Sequence, residues 1–311
     1  MPIDRFEELY RAADFRVGAA PIAVAGADDP TVLKAMSIAR ARNWAKPILI
    51  GPEPRIRSVA AAEGIDLGGF VIHDADGPAT AARAVAEVRS GTAAALMKGQ
   101  IPTPELMKAV LDSREGLRTE RVICQIVLME IGRDQRRFLL ADTGICVAPG
   151  LDERIDILAS AVELARMLGV SRPKVALMAA TETVKASMPE TVEWSELARR
   201  ARVGEFGDCH VDGPLSFDLA YALDAGTKKH VESAVGGAAD IMLFPNLLAA
   251  NLTVKAIMYT ADCEFGGVLR GTSAPVVFMS RADSTETRLN SLALTLRILD
   301  HERRRAAGAG E

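Results

Sequence analysis

The stretch IAVAGADDPTVLKAMSIARARNWAKPILIG, residues 22–51, reads as strand, helix, strand: an apolar run at 22–26, a helical stretch from Thr31 to Arg42, and a second apolar run at 46–51. The pattern repeats outward from there. A helical stretch spans Arg55 to Glu63, FVIHD (70–74) precedes PATAARAVAEVRSG (78–91), and AAALMKG (93–99) precedes PELMKAVLD (104–112). Four β-α units with short connections predict a parallel sheet covered on both faces. RVICQIVLMEI (121–131) and RRFLLAD (136–142), separated by polar GRDQ, read instead as an antiparallel pair. After the loop TGICVAPGLDE (143–153) the alternation resumes. A helix is expected from Asp152 to Leu168, a strand in RPKVALMAA (172–180), a helix around Trp194 to Arg202, then CHVDGPL (209–215). ADIMLFPN (239–246) is a further strand, followed by a helix from Leu247 to about Thr260. The interruption near 147–152 marks the best domain boundary. The fold class is therefore α/β: two three-layer domains with a cleft between them, where strand C-termini should present ligand sites.

The totals agree with a two-domain globular chain. It has 311 residues, 49% hydrophobic and 25% charged, and a formal net charge of −4. That charge supplies no global attraction for nucleic acid or an anionic membrane, so an anionic ligand must be held by locally gathered cations and backbone N–H groups. The four cysteines are far apart, without a C-x-x-C pair, and read as buried small hydrophobes rather than a metal site or disulfide framework. The N-terminal MPIDRFEELYRAADF has the pattern of a charged amphipathic helix, not of a signal peptide, and no apolar run approaches the ~20 residues of a membrane span. A cytoplasmic protein is expected, and the tail HERRRAAGAGE (301–311) is expected to fray.

Standard dinucleotide, P-loop and nucleophile-elbow motifs are absent, as is H-E-x-x-H. Asp208 and Asp212 have no third acidic partner fixed by sequence, so no metal site is assigned. Four segments remain, each polar at the end of an apolar strand. In LMKGQIPTPELMKAV, Lys98 follows a buried run and Thr103 precedes a proline, the pattern of a helix N-cap whose free N–H groups also suit an anion. VDGPLSFDLA contains the turn signal Asp212-Gly213-Pro214. In FPNLLAANLTVKAIM, Asn246 follows the strand, and Asn251 and Lys255 share one helix face. The last is SAPVVFMSRADSTETRLNSLALTLRIL (273–299), an apolar run at 275–279, a polar turn, and a helix with apolar residues at 289, 292, 296 and 299. Asp283 or Ser284 fits an N-cap, and Asp283-x-x-Glu286 imitates a capping box. Ser280 and Arg281 are left unexplained by capping, and a hydroxyl with a guanidinium at a strand end suits a phosphate or an oxyanion.

Taken in order, LMKG-x-x-PT (96–103), GLRT (116–119), VDGPL (211–215), ADIMLFPNLLAANLTVKA (239–256) and APVVFMSRADS (274–284) resemble the phosphate acetyltransferase/butyryltransferase family. The resemblance implies a fold like that of isocitrate and isopropylmalate dehydrogenases, with residues 1–147 plus 268–311 as the first domain and 148–267 as the second. It also implies a homodimer or higher homo-oligomer and reversible acyl transfer between coenzyme A and inorganic phosphate, with acyl-CoA as substrate and no bound cofactor or metal. By that resemblance Ser280 stabilises the tetrahedral intermediate and Arg281 binds phosphate. Lys98, Thr103, Asn246, Asn251 and Lys255 line the substrate site. The family's acetyl-specific members place an aspartate, the proposed thiol base, where this chain has Thr287. The S-R-A-D-S turn is closer to the butyryl branch, and Glu286 or Asp283 is the candidate base. Phosphate acetyltransferase is the alternative within the class. A metal- and NAD-dependent decarboxylating dehydrogenase of the same fold is a more distant one, and a non-catalytic acyl-CoA or acyl-phosphate binding protein a third.

Overall fold

The computed structural model describes residues 2–278 and 280–308. Met279, the end of the apolar run expected as a strand, and residues 309–311 of the tail lie outside the described residues, as does Met1. The chain divides into two compact units. One holds residues 6–121 and 266–308, the other residues 2–5 and 122–265.

In the first unit the elements run α1 (Phe6–Asp14), β1 (Ala20–Ala25), α2 (Pro30–Ala41), β2 (Ala45–Gly51), α3 (Glu53–Ala62), β3 (Val71–Asp74), α4 (Pro78–Arg89), β4 (Ala95–Lys98) and α5 (Thr103–Val110). The second unit follows with β5 (Cys124–Ile131), β6 (Arg137–Ala141), α6 (Leu151–Met167), β7 (Lys174–Met178), α7 (Pro189–Arg202), β8 (His210–Leu215), α8 (Phe217–Tyr221), α9 (Ala225–Lys229), β9 (Ile241–Leu243) and α10 (Leu247–Thr260). The chain then re-enters the first unit along β10 (Cys263–Arg270), β11 (Val276–Val277) and α11 (Thr285–Gly308).

Strand order in the first unit is β3-β2-β1-β4-β11, with β10 beside β11. The first five are mutually parallel, and β10 pairs antiparallel with β11 through Val268↔Val277. Ile22 to Ala25 are wholly buried, as a strand covered on both faces requires. Helix α11 packs against α1 and α2. Its residues 287–296 are buried without a break, so it is an interior helix and not the amphipathic surface helix its leucine spacing suggests. It approaches β10 so closely that a Cβ on Gly266 would lie 2.9 Å from the Ser291 nitrogen. The adjacent Gly267 N–H donates to Ser291 Oγ at 2.9 Å. That approach accounts for Gly266, and the Gly266-Gly267 pair weakens the strand signal of β10.

The second unit's order is β5-β6-β9-β7-β8, antiparallel at β5–β6 and parallel elsewhere. Alternate residues Val127, Met129, Phe138 and Leu140 meet Ala250 and Val254 of α10 in one core.

Three expectations differ from what is observed. The division falls at 121/122 and 265/266, where the sequence places it at 147/148 and 267/268. The β5–β6 pair adds onto β9, so it belongs with the second unit. Asp212-Gly213-Pro214 is not a turn but part of β8, with a cis peptide before Pro214 and a register shift opposite Ala176 and Met178. This strand ends the sheet order, the position where proline's missing donor is tolerated. The expected fraying of the tail does not begin at 301, since α11 continues to Gly308.

Candidate active site

Parallel pairing decides where the polar strand ends meet. Ala25 of β1 is opposite Lys98 of β4, and Val277 of β11 is opposite Met97. The C-terminal ends of β1, β4 and β11 therefore lie at one edge of the first unit, where open α/β sheets hold ligands. The junction of β1 and β4 is tight. Gly99 N–H donates to Ala25 O at 2.8 Å and Gln100 N–H to Gly26 O at 2.7 Å. A Cβ on Gly99 would sit 2.2 Å from Gly26 O, so only glycine lets the two backbones cross here. Gly26, at φ +75°, completes the crossing. Lys98 is thus pinned between a buried strand and this crossing.

Lys98 is only 1% exposed, and among the described residues it forms no ion pair. Its ammonium has one weak contact, 3.5 Å to Gly99 O. Burial, then the nearby Arg288 and Arg281 guanidiniums, push its pKa down to about 8, against an opposing pull from Asp283.

The turn after β11 is held by its own polar groups. Ser280 N–H donates to Asp283 Oδ2 at 2.7 Å, Asp283 N–H returns to Ser280 O at 3.2 Å, and Ala282 N–H reaches Ser280 Oγ at 3.3 Å. Asp283 therefore fastens the turn, and the helix cap falls to Ser284, whose Oγ accepts from Thr287 N–H at 3.1 Å. The expected Asp283–Glu286 capping box does not form. Thr287, where the acetyl-type aspartate would stand, is buried with its hydroxyl 3.1 Å from Ser284 Oγ. Ser280, Arg281 and Glu286 are exposed, and Glu286 complements the positive end of α11.

Thr103 does not cap α5. The cap is Pro102, and Thr103 is the exposed first residue of the helix. Lys98, Ser280, Arg281, Asp283, Glu286 and Thr103 all belong to the first unit, and the first four are tied to one edge by hydrogen bonds or by charge.

Asn246, Asn251 and Lys255 belong to the second unit, on or beside α10. Asn246 is the N-cap, its Oδ1 accepting from Ala249 N–H at 2.9 Å, so this oxygen is committed to the fold. Half-buried Asn251 donates from Nδ2 to Thr143 O at 3.3 Å, and Lys255 is exposed. The loop that Asn251 holds is organised by Asp142. That buried carboxylate accepts from the N–H groups of Gln125, Gly144, Ile145 and Cys146 at 2.6–3.2 Å. A carboxylate with four backbone donors has no signature beyond an aspartate at a strand end, so the sequence did not single it out.

Arg288 is the other group the sequence reading missed. It stands one helical turn before Leu292 on an interior helix and is 0% exposed. Nε donates to Thr31 Oγ1 at 3.0 Å, and Thr31 Oγ1 in turn donates to Asp29 Oδ1 at 2.6 Å. Nη1 lies 3.4 Å from the Lys98 carbonyl oxygen. No three histidine, cysteine or carboxylate side chains gather as a metal site among the described residues. What gathers at the β4–β11 edge is positive charge with a hydroxyl, an arrangement suited to a phosphoryl group and a developing oxyanion.

The family model described as "Phosphate acetyl/butaryl transferase" matches residues 78–296. The chain belongs to this family. Phosphate butyryltransferase of Clostridium acetobutylicum is 38% identical over 274 residues, 88% of this chain and 91% of its own length. Phosphate acetyltransferase of Thermotoga maritima is 35% identical over 274 residues, 88% of this chain and 93% of its own. Among solved structures, a branched-chain phosphotransacylase from Enterococcus faecalis V583 superposes with a TM-score of 0.78 at 29% identity, covering 90% of this chain and 99% of that one. A member of the phosphate acetyl/butyryl transferase family is an acyltransferase, and the cationic edge lies within the matched region: Lys98, Ser280, Arg281 and Arg288 all fall between 78 and 296.

Proposed function

We propose that this acyltransferase moves a short acyl group, butyryl or one of similar length, reversibly between coenzyme A and inorganic phosphate. The observation that carries the reading is the charge of Arg281 reaching buried Lys98, with the Ser280 hydroxyl next to Arg281 in the chain, all within the family match. In the synthetic direction a phosphate oxygen attacks the thioester carbonyl. The tetrahedral oxyanion takes hydrogen bonds from Ser280 and adjacent amides, and the carbon–sulfur bond breaks to leave acyl phosphate and the thiolate. Arg281 and Lys98 offset the phosphate charge, with the start of α5 at Thr103. By the resemblance Asn246, Asn251 and Lys255, on or beside α10, are further candidates for substrate binding.

In the reverse direction the coenzyme A thiol must lose its proton, and a free thiol with a pKa near 8.5 is only a few per cent ionised at neutral pH. Glu286 and Asp283 are the candidate bases. Asp283 already accepts from the Ser280 N–H, whereas Glu286 is exposed, which favours Glu286. The resemblance also carries a fold of the isocitrate dehydrogenase kind, a homodimer or higher homo-oligomer and no permanently bound cofactor, and a cytoplasmic location is the expectation from the sequence pattern. The return of residues 266–308 to the first unit supports the fold. Butyryl is preferred to acetyl on the form of the 280–284 turn and the 38% identity to a butyryl-type relative, against 35% to an acetyl-type one.

Two variants test the residue roles. Ser280→Ala is expected to lower kcat by roughly 10²–10³ with little change in the KM for acyl-CoA, the usual cost of an oxyanion donor. Glu286→Gln is expected to slow thiol attack on acyl phosphate at least tenfold. An unchanged rate there transfers the role to Asp283, tested by Asp283→Asn. A chelator that abolishes turnover would favour the metal-dependent dehydrogenase reading instead.

A further inference from the structure

Four buried side-chain nitrogens have no hydrogen-bond partner among the described residues: Nε of Arg154, Nε of Arg270, Nδ1 of His301 and Nη2 of Arg288. Two of them belong to guanidiniums that are already ion-paired, Arg154 with Glu193 at 2.5 Å and Arg270 with Glu302 at 3.0 Å. Arg288 has no such pair. It is wholly buried, and the carboxylate whose field reaches it most, Asp29, is spent on the N-terminus of α2. There it accepts from Thr31 N–H, Val32 N–H and Thr31 Oγ1 at 2.6–3.1 Å.

Beside Arg288 lies a second buried cation, Lys98, also without an ion pair among the described residues. A buried charge loses hydration that only a counter-ion or a full set of hydrogen bonds restores, and two adjacent like charges compound the loss. Among the described residues neither Lys98 nor Arg288 has that compensation. The missing partner is an anion.

We propose that Arg288 Nη2 and Lys98 Nζ form an interior seat for the phosphoryl anion, with Arg281 of the exposed turn as its outer wall. This deepens the phosphate acyltransferase reading and rests on it, assigning to Arg288 a phosphate contact. The anion enters past Ser280 and Arg281. One Asp29–Thr31 bridge fixes the guanidinium at Nε, so that Nη2 remains to donate.

A proton accompanies the anion. The groups facing Lys98 are Arg288 and Arg281, which disfavour its ammonium, and Asp283, which favours it; those facing Arg288 are Asp29 and Asp283. With its pKa at about 8 the free enzyme holds a mixture of both forms near that pH, and a seated dianion favours the ammonium. Phosphate binding therefore takes up protons at pH 8.

The test uses the full-length enzyme and inorganic phosphate. In steady-state release of coenzyme A from acyl-CoA, Arg288→Gln is expected to raise the KM for phosphate at least tenfold and that for acyl-CoA less than threefold. Arg288→Lys, which keeps the charge and loses the Nη2 donor, is expected to raise the phosphate KM by a smaller factor, and it carries the test if the glutamine variant does not fold. Calorimetric titration with phosphate at pH 8, in two buffers of different ionisation enthalpy, should show proton uptake that Lys98→Met abolishes. A phosphate KM unchanged in the Arg288 variants, in an active enzyme, overturns the seat. So does proton uptake equal in wild type and Lys98→Met. Phosphate binding with Lys98-dependent proton uptake, but without coenzyme A release from any acyl-CoA, would keep the seat and overturn the acyltransferase reading.

Discussion

Replacing Lys98 with methionine should make the protein more stable, and by an amount that depends on pH in a defined direction. The side chain is 1% exposed, and its pKa falls from 10.5 to about 8 on folding. At ~1.4 kcal/mol per pH unit, that depression corresponds to about 3.4 kcal/mol of destabilisation when the lysine is protonated in both states. The sign follows from proton counting. Between about pH 8 and 10.5 the unfolded chain binds a proton at this site that the folded chain does not, so wild-type stability rises with pH across that window. Below pH 8 the folded protein carries the whole cost. Lys98→Met carries it nowhere, so its advantage over wild type is greatest at pH 6.5 and shrinks by about 2.5 kcal/mol by pH 10. Other titrating groups are common to both proteins and cancel in the difference. Urea denaturation at several pH values, extrapolated linearly to water, measures it. A stability difference that is flat across this range, or that widens as pH rises, would refute the reasoning about Lys98's surroundings.

Other consequences concern the frame around the site. Gly99→Ala forces a Cβ to 2.2 Å from Gly26 O and 2.8 Å from Ala25 O, both backbone atoms that cannot swing aside. A loss of about 3 kcal/mol or more is expected, with a fall in melting temperature of roughly 6–12 °C and a matching loss of activity as Lys98 is displaced. Thermal melts check it, and a melting point within 2 °C of wild type would be contrary. Arg154 is buried, pairs with Glu193, donates to Pro245 O at 2.8 Å and lies 4.8 Å from the Trp194 ring centre. Arg154→Ala should cost about 3–5 kcal/mol by leaving Glu193 and the Pro245 carbonyl without it, measured by the same urea titration.

Much of this was legible in the residues, and the boundary of what was legible has physical causes. Strands such as IAVAG and the PILIG part of β2 carry no charged residue because they are covered on both faces, so their pattern is clear without knowledge of their neighbours. The strand CEFGGVLR was not seen, because two adjacent glycines weaken its signal, and the approach of α11 that requires Gly266 comes from Ser291, 25 residues further along the chain. The domain boundary was misplaced for a similar reason. Local pattern identifies the β5–β6 pair but not which sheet it joins. At the site, Ser280 and Arg281 stood out because capping left them over. Of the two cap candidates, Ser284 caps the helix and Asp283 fastens the turn, a choice set by the turn's backbone and not by residue type. Arg288 carried no signal at all. A single arginine in a helix reads as a surface residue until the helix is known to be buried on every side.

The central claim is acyl transfer from coenzyme A to phosphate. Its most direct test is release of free coenzyme A from acetyl-, propionyl- and butyryl-CoA by the purified protein, with and without inorganic phosphate. The family predicts phosphate-dependent release, and the proposed function predicts that it is fastest with butyryl-CoA or a thioester of similar length. Release from acetyl-CoA alone would make the enzyme an acetyltransferase, and no phosphate-dependent release from any of the three would contradict the account.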